Sequence, residues 1–437
     1  MGIIGCLLGF FVVIIFCYKD WSVYIATIVG AAVVMLFNWL PFAGTLTGAF
    51  VDGMFVPIKS FFFILLFGNI QAKIYSVSGA AYAIADTIMS ALLKPGASNT
   101  RKNVIAISVL LVIGIVLCMG GINASVFIVL MYPIALTIFE HCDIPKRFIL
   151  GVLGACSYTF TLTMPGSPQV TNVAAMSALG TDAAVALVPG LVGAAVEIAV
   201  IIVLMNLLIN RARARGEHFA LHPLDPHYDE NSPRPRFIVA ILPLIVLFVL
   251  FNVVGMDINV CIIISVAVSI ILFKDQLHGS SLRNLLSTGA SESIHMSMTV
   301  AAICGFAGVV TETEAFTQML NAIISIDISP MLICAIVVAV MCMLTGGSST
   351  GQLISLPLIA PKLTELGLSV GAIHRIGCFA ATTLDSLPYS GAILMLLPLC
   401  RMKLREVYPP LFVTTVVATT CGTAAVIITC ALFPGLT

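Results

Sequence analysis

The sequence predicts an all-α polytopic membrane protein: two inverted repeats, about ten transmembrane helices, two re-entrant helical hairpins and two broken helices. Three observations predict it. Hydrophobic residues make up 60% of the 437 and charged residues 9%, against roughly 25% charged in a soluble domain. Two polar, proline-containing stretches interrupt long apolar segments, Thr163-Met-Pro-Gly-Ser-Pro-Gln-Val-Thr-Asn172 and Leu384-Asp-Ser-Leu-Pro-Tyr-Ser-Gly391. The order of elements in the first half recurs in the second.

In chain order, apolar length places spans at about 3–16 and 23–40, joined by Lys19-Asp20. Residues 1–17 carry neither a basic start nor a small-residue cleavage site, so they read as a first span rather than a removable signal. A third span at 55–72 precedes a mixed stretch, 77–93, which reads as interfacial. Two apolar arms, 104–119 and 124–139, flank Gly120-Gly-Ile-Asn123 and form the first hairpin, 104–139. The first broken helix runs over 148–179, and a long span, 184–209, ends the first repeat, 1–215. Residues 216–236, rich in His, Pro, Asp and Arg, form a hydrophilic cytoplasmic linker.

The second repeat, 237–437, has spans at 237–254, 260–273 and 291–310 and a mixed stretch at 315–326. Arms at 331–344 and 353–366 flank Thr345-Gly-Gly-Ser-Ser-Thr-Gly351 as the second hairpin, 331–366. The second broken helix covers 372–399, and a last span covers 411–433. Gly120-Gly121 matches Gly346-Gly347 at an offset of 226, and Pro165 matches Pro388 at 223. Such repetition marks secondary transporters, with the discontinuous segments at the site.

Positive charge sets the orientation. With both pairs of arms re-entrant, sixteen of the twenty Lys and Arg residues fall on one side, which is then cytoplasmic. The expected location is the cytoplasmic (inner) membrane, multi-pass, with both termini outside.

The breaks carry the candidate chemistry. An unwound turn leaves about four N–H groups unsatisfied at the next helix start, with a partial positive charge that suits a carboxylate. Helix-end carbonyls and Ser, Thr and Asn oxygens suit a cation. The candidate substrate-binding residues are Gly121, Asn123, Ser125, Gly166, Ser167, Gln169, Gly347, Ser348, Ser349, Thr350, Tyr389 and Ser390. The candidate cation-coupling residues are Asp385, Ser386, Asn172 and Glu197. A charge at a helix centre costs roughly 2.5–3.5 kcal/mol on insertion scales, which singles out Asp385 at its break and Glu197 in mid-span. Against each stands a structural reading: Gly and Pro that only kink a helix, Asp385 capping its own break, Glu197 simply held protonated by burial. Glu292 and His295 read as the solvated start of a span, and Lys59 and Lys73 as snorkelling span-end residues.

Zero formal net charge offers no surface for nucleic acid. The thirteen cysteines are scattered without a CxxC pair, so neither a metal site nor a disulfide framework is indicated. No Walker motif or Ser-His-Asp array appears, which argues against an ATP-driven pump or an enzyme, and no cofactor is expected. A sodium:proton antiporter, or an ion channel lined by two hairpins, remains an alternative to a symporter.

Four segments, Tyr158-Thr-Phe-Thr-Leu-Thr-Met-Pro-Gly-Ser-Pro-Gln169, Thr345-Gly-Gly-Ser-Ser-Thr-Gly351, His374-Arg-Ile-Gly377 and Leu384-Asp-Ser-Leu-Pro-Tyr-Ser-Gly391, resemble the gluconate:proton symporter (gluconate permease) family. The resemblance extends from about residue 50 to the C-terminus. It implies the fold of the ion-transporter superfamily, often a homodimer with an elevator-like transport domain. It also implies uptake of a small hydroxy-monocarboxylate with a cation, usually H+, Na+ being the other candidate. The first break is less proline-rich than in gluconate carriers proper and looks closer to the 3-hydroxybutyrate branch.

Overall fold

The computed structural model describes residues 2–19, 21–93, 96–119, 124–222, 225, 234–254, 256–277, 282–318 and 328–437. Among them the chain is helical without strands, an all-α polytopic membrane protein. Four helical segments are long and apolar enough to cross a bilayer alone: Asn99–Met119, Leu187–Ala214, Leu282–Thr311 and Leu404–Leu432. Large apolar side chains such as Trp39, Phe55, Ile238 and Leu432 lie on the exterior, the arrangement expected where the solvent is hydrocarbon.

Helices α1 (Gly2–Tyr18) and α2 (Val23–Asn38) pack as a pair. A π-helical turn, Leu46–Phe50, leads into α3 (Val51–Val77), which packs along α12 (Leu282–Thr311). The close approach comes from glycine: a Cβ on Gly53 would stand 2.5 Å from the Cys304 carbonyl oxygen. Both helices are longer than the apolar windows suggest, α12 by nine residues at its start. The stretch expected to be interfacial is α4 (Ala80–Leu92). Residues Ala80 to Ala85 are all buried, against α6 (Ala124–His141) and α10 (Phe237–Asn252), where four alanines let the helix sit close to its neighbours. The mixed stretch at 315–326 lies largely outside the described residues.

The two arms of the first expected hairpin are α5 (Asn99–Met119) and α6 (Ala124–His141). Arg213, near the end of α9 (Leu187–Ala214), ties their outer ends together. Its guanidinium donates to Asn103 Oδ1 at 2.7 Å and Asn99 O at 3.4 Å on α5, to Asp143 O at 3.0 Å, and to Cys142 O just after α6. The start of α5 and the end of α6 therefore lie at one end of the molecule. The second pair, α13 (Pro330–Thr345) and α14 (Ser348–Glu365), meets so closely that a Cβ on Gly351 would lie 2.5 Å from Cys342 N.

Both broken helices are observed. The first runs through α7 (Ile149–Tyr158) and a single turn, Phe160–Thr163, and resumes as α8 (Val170–Leu179). The second runs through α15 (Val370–Ala381) and unwinds before the short turns Gly391–Leu394 and Leu397–Cys400. The remaining elements are α11 (Ile258–Leu272), α16 (Leu404–Phe412) and α17 (Ala418–Leu432), the last two joined by a π-helical turn, Val413–Val417. Helix α17 runs antiparallel to α9: Gly193 meets Val426, and Gly422 meets Glu197.

Candidate functional site

The first break is held by side chains of its own. Proline at 165 and 168 supplies no N–H, so the chain cannot close a helical ladder there. Ser167 Oγ donates to Thr161 O at 2.5 Å, and Asn172 Nδ2 donates to Met164 O at 2.9 Å and Ser167 O at 3.0 Å. Gly166 takes φ +76°, a left-handed conformation that costs glycine little, and donates its N–H to Ala183 O at 2.9 Å.

Each break also satisfies a carbonyl at the end of the neighbouring arm. Gln169 Nε2 donates to Cys118 O at 2.7 Å near the end of α5. Tyr389 OH donates to Met343 O at 2.7 Å near the end of α13. The same device thus appears twice, a polar side chain from a break donating to a carbonyl in the last turn of a helix, and Met343 O accepts from Gly346 N as well.

The two halves meet where α8 and α14 begin. Neither helix has a side-chain cap at its N-terminus. Thr171, in the first turn of α8, donates its hydroxyl to Ser348 Oγ, the first residue of α14, at 3.5 Å. Two uncapped helix starts, each with partial positive charge, therefore converge. Ser348 also lies beside the Asp385 carboxyl, whose Oδ1 accepts from Ser386 Oγ at 2.8 Å. One turn along α14 from Ser348, Gln352 is fully buried with neither amide atom hydrogen-bonded, and Ser390 Oγ is likewise buried and unpartnered.

The structure thus brings together Ser348, Asp385, Ser386 and Asn172 with the residues of the first break, Gly166, Ser167 and Gln169. Gly346 makes the αL turn at the second tip (φ +66°), and Gly347 precedes α14 in extended backbone. Ser349 is half-buried and Thr350 exposed. Gly121 and Asn123, and the side chain of Ser125, lie outside the described residues.

Glu197 stands apart from this cluster, fully buried where α9 crosses α17, with both carboxyl oxygens unpartnered. The Thr163 hydroxyl is close enough to influence it but makes no hydrogen bond of normal geometry. A Cβ on Gly422 would sit 2.5 Å from Glu197 Cγ, so glycine makes the space this side chain occupies.

Sequence reasoning missed Arg375, the largest fully buried side chain. From the middle of α15 it reaches into the first break. Nη1 donates to Thr163 O at 2.7 Å and Asn172 Oδ1 at 3.2 Å. Nη2 donates to Ala183 O at 3.0 Å and Val185 O at 2.7 Å, while Nε has no partner. His374 beside it bridges Asn172 Oδ1 at 3.1 Å and Thr181 Oγ1 at 2.6 Å. The sequence does carry a signal for it: a guanidinium in an apolar segment is as expensive as the carboxylates of Asp385 and Glu197.

At the end of the molecule marked by Arg213 the chain carries an ionic network. Glu292 pairs with Lys73 at 3.0 Å and Arg401 at 3.5 Å, and Lys146 pairs with the buried linker residue Asp225. Lys73 is therefore an ion-pair partner rather than a free snorkelling chain. His295 is hydrogen-bonded to Tyr24 OH at 3.1 Å.

No family model matches the chain. It is 25% identical, over 435 aligned residues and 89% of each chain, to the uncharacterized transporter YxjC of Bacillus subtilis (strain 168). Its backbone is similar to the crystal structure of the Alcanivorax borkumensis YdaH transporter, with a TM-score of 0.42, 12% identity and coverage of 99% of this chain and 98% of that one. A likeness at that level carries no argument.

Proposed function

We propose that this chain is a secondary active transporter that takes up a small organic monocarboxylate by cation symport, through elevator-type alternating access. The single observation that carries the reading is the meeting of two uncapped helix starts at Thr171 and Ser348. Their N–H groups suit a carboxylate, and Asp385 beside Ser348 offers a place for H+ or Na+. The similarity to a protein named as a transporter is consistent with it, as is the resemblance of both breaks to the gluconate permease family. The acid is a gluconate- or 3-hydroxybutyrate-like hydroxy acid, and the carrier works as a homodimer in the cytoplasmic membrane.

The test is uptake into proteoliposomes. Labelled 3-hydroxybutyrate and gluconate are offered under an imposed pH or Na+ gradient, and the expected result is accumulation that an ionophore collapses. If neither acid accumulates under either gradient, the reading fails. One observation suits a sodium:proton antiporter instead: Glu197 is a buried carboxyl with no partner, away from the helix starts. Na+/H+ exchange in the same vesicles with no organic acid present would favour that alternative.

A further inference from the structure

We propose that Arg375 supplies the fixed positive charge against which the carried monoanion is held, acting through Asn172 and the start of α8 without touching the acid. The inference rests on the transport reading above and adds to it the charge class of the substrate.

A buried guanidinium is normally matched by a carboxylate, because desolvating a charge without an opposite charge is expensive. Arg375 is 0% exposed, yet no acidic group among the described residues lies within ion-pair distance of it. All four of its acceptors are neutral: three main-chain carbonyls and the Asn172 amide oxygen. They satisfy four donor directions but cancel no charge, and Nε keeps a proton with no acceptor at all.

The buried carboxyls do not reach it. The Arg375 stem packs on Gly190, where a Cβ would lie 2.9 Å from Arg375 Cδ. Glu197 is seven residues beyond Gly190 on the same helix and lies beside the Thr163 hydroxyl, whereas Arg375 takes the Thr163 carbonyl, and the two side chains form no ion pair. Asp385 follows ten residues later in the chain, beyond the end of α15. Asp182, next in sequence to the Ala183 carbonyl, is exposed to the exterior.

The field of this charge has a defined exit. Asn172 Oδ1 accepts from Arg375, from His374 and, at 3.4 Å, from Cys378. Asn172 belongs to the first turn of α8, next to Thr171, which touches Ser348. The guanidinium thus stands directly behind the two converging helix starts and adds a full charge to their partial ones. A monoanion there completes the charge balance. A neutral analogue leaves the guanidinium uncompensated, and a dianion brings a surplus.

Structural clamping and charge supply are separable by substitution. R375K keeps the charge and loses the planar four-way donation, whereas R375Q keeps two donors and loses the charge. In proteoliposomes the probe is labelled 3-hydroxybutyrate, with 3-hydroxybutyramide and malate as competitors at pH 7. The wild type is expected to be inhibited by neither competitor. R375Q is expected to raise KM about thirty-fold, from a unit charge acting at roughly 8 Å and an effective dielectric near 20, with a smaller change in kcat. R375K is expected to stay within about three-fold.

Equal effects of the two variants, an unchanged KM in R375Q, or competition by the amide as strong as by unlabelled acid would each overturn the proposal. If R375Q does not fold, as judged by thermal unfolding in detergent, N172D replaces it. That change sets a carboxylate against the guanidinium and cancels its field, and a folded N172D protein with wild-type KM overturns the proposal equally. If the wild type transports neither 3-hydroxybutyrate nor gluconate, the transport reading is what has failed. Thermal stabilisation of the purified protein by millimolar acid then reads the charge directly: stabilisation present in the wild type and R375K and absent in R375Q supports Arg375, and no stabilisation of the wild type sinks it.

Discussion

Two carboxyls in the interior have different surroundings, and their substitutions should fail in different ways. Asp385 sits at an unwound turn with two hydroxyls beside it. Asp385→Asn keeps the shape and removes the titratable group. The expected outcome is loss of gradient-driven uptake with homoexchange of labelled acid retained, and unchanged coupling would clear Asp385 of the role. Glu197 has only the Thr163 hydroxyl nearby, both its oxygens lack a hydrogen bond, and its space is made by Gly422. Gly422→Ala drives a methyl group to about 2.5 Å from Glu197 Cγ, and overpacking of this kind costs roughly 1–3 kcal/mol. Because the clash is with a side chain, pairing it with Glu197→Ala should restore most of the lost thermal stability in detergent. A double variant no more stable than Gly422→Ala alone would place the strain elsewhere. At the polar end, Asp143 is outside the spans and pairs with His218 at 2.7 Å. Partial burial pushes its carboxyl up, but the His218 ring, the Phe219 N–H and nearby Arg213 outweigh that and hold it below the usual carboxylate range. A depressed carboxylate stabilises the fold above its unfolded value and loses that contribution as pH falls through the folded one. Thermal stability should therefore be sensitive to His218→Ala above about pH 4, the unfolded carboxylate value, and lose that sensitivity as pH falls further below it.

At the scale of elements, the hairpin arms and broken helices depend on backbone contacts that no side chain can relieve. Gly351 brings α14 against α13 so closely that an added methyl would meet Cys342 N and Cα at 2.5 and 2.6 Å. Gly351→Ala must separate the arms, so a loss of at least about 2 kcal/mol is expected, and no change at Cys342 should rescue it. A Gly351→Ala protein that melts with the wild type would mean that the arms are not held this closely. The breaks themselves are legible in the sequence, because proline and glycine in an apolar run free backbone groups that hydrocarbon does not tolerate unless they line a cavity. So are the helices that flank each tip, whose bounds lie within five residues of the apolar windows. Partnership is not legible. The Gln169 contact with Cys118 joins residues 51 apart, and the Thr171 contact with Ser348 joins residues 177 apart. Packing along a helix is not legible either: the mixed polarity of α4 does not show that Ala80 to Ala85 are buried among its neighbours. Arg375 escapes any reading in which basic residues count only toward orientation, although its cost inside an apolar segment is the same as an acid's.

The architecture of the whole molecule rests on which ends lie together. Arg213 gathers the start of α5, the end of α6 and the end of α9. Arg147, which leads into α7, pairs with Glu217 beyond α9 at 2.7 Å. At the other end of α15 the C-terminal residue is close by: Ser369 Oγ donates to Thr437 Oγ1 at 2.7 Å, and Gly371 packs on Thr437. The Thr181–His374 contact brings the turn before α9 to the same end. If the first knot is cytoplasmic, as expected from the sixteen basic residues that the sequence reading places on one side, then positions 98, 143 and 217 share the cytoplasmic face, with 369 and 437 outside. Single cysteines at these five positions in a cysteine-free background should divide accordingly when an impermeant thiol reagent is added to intact cells or to inverted vesicles. The informative pair is 98 and 143. Were either α5 or α6 a full span with its partner only an arm, these two positions would react from opposite sides, and the inverted arrangement of the two halves would fall with them. Reaction of both from the cytoplasm makes α5 and α6 a unit that enters and leaves on one side.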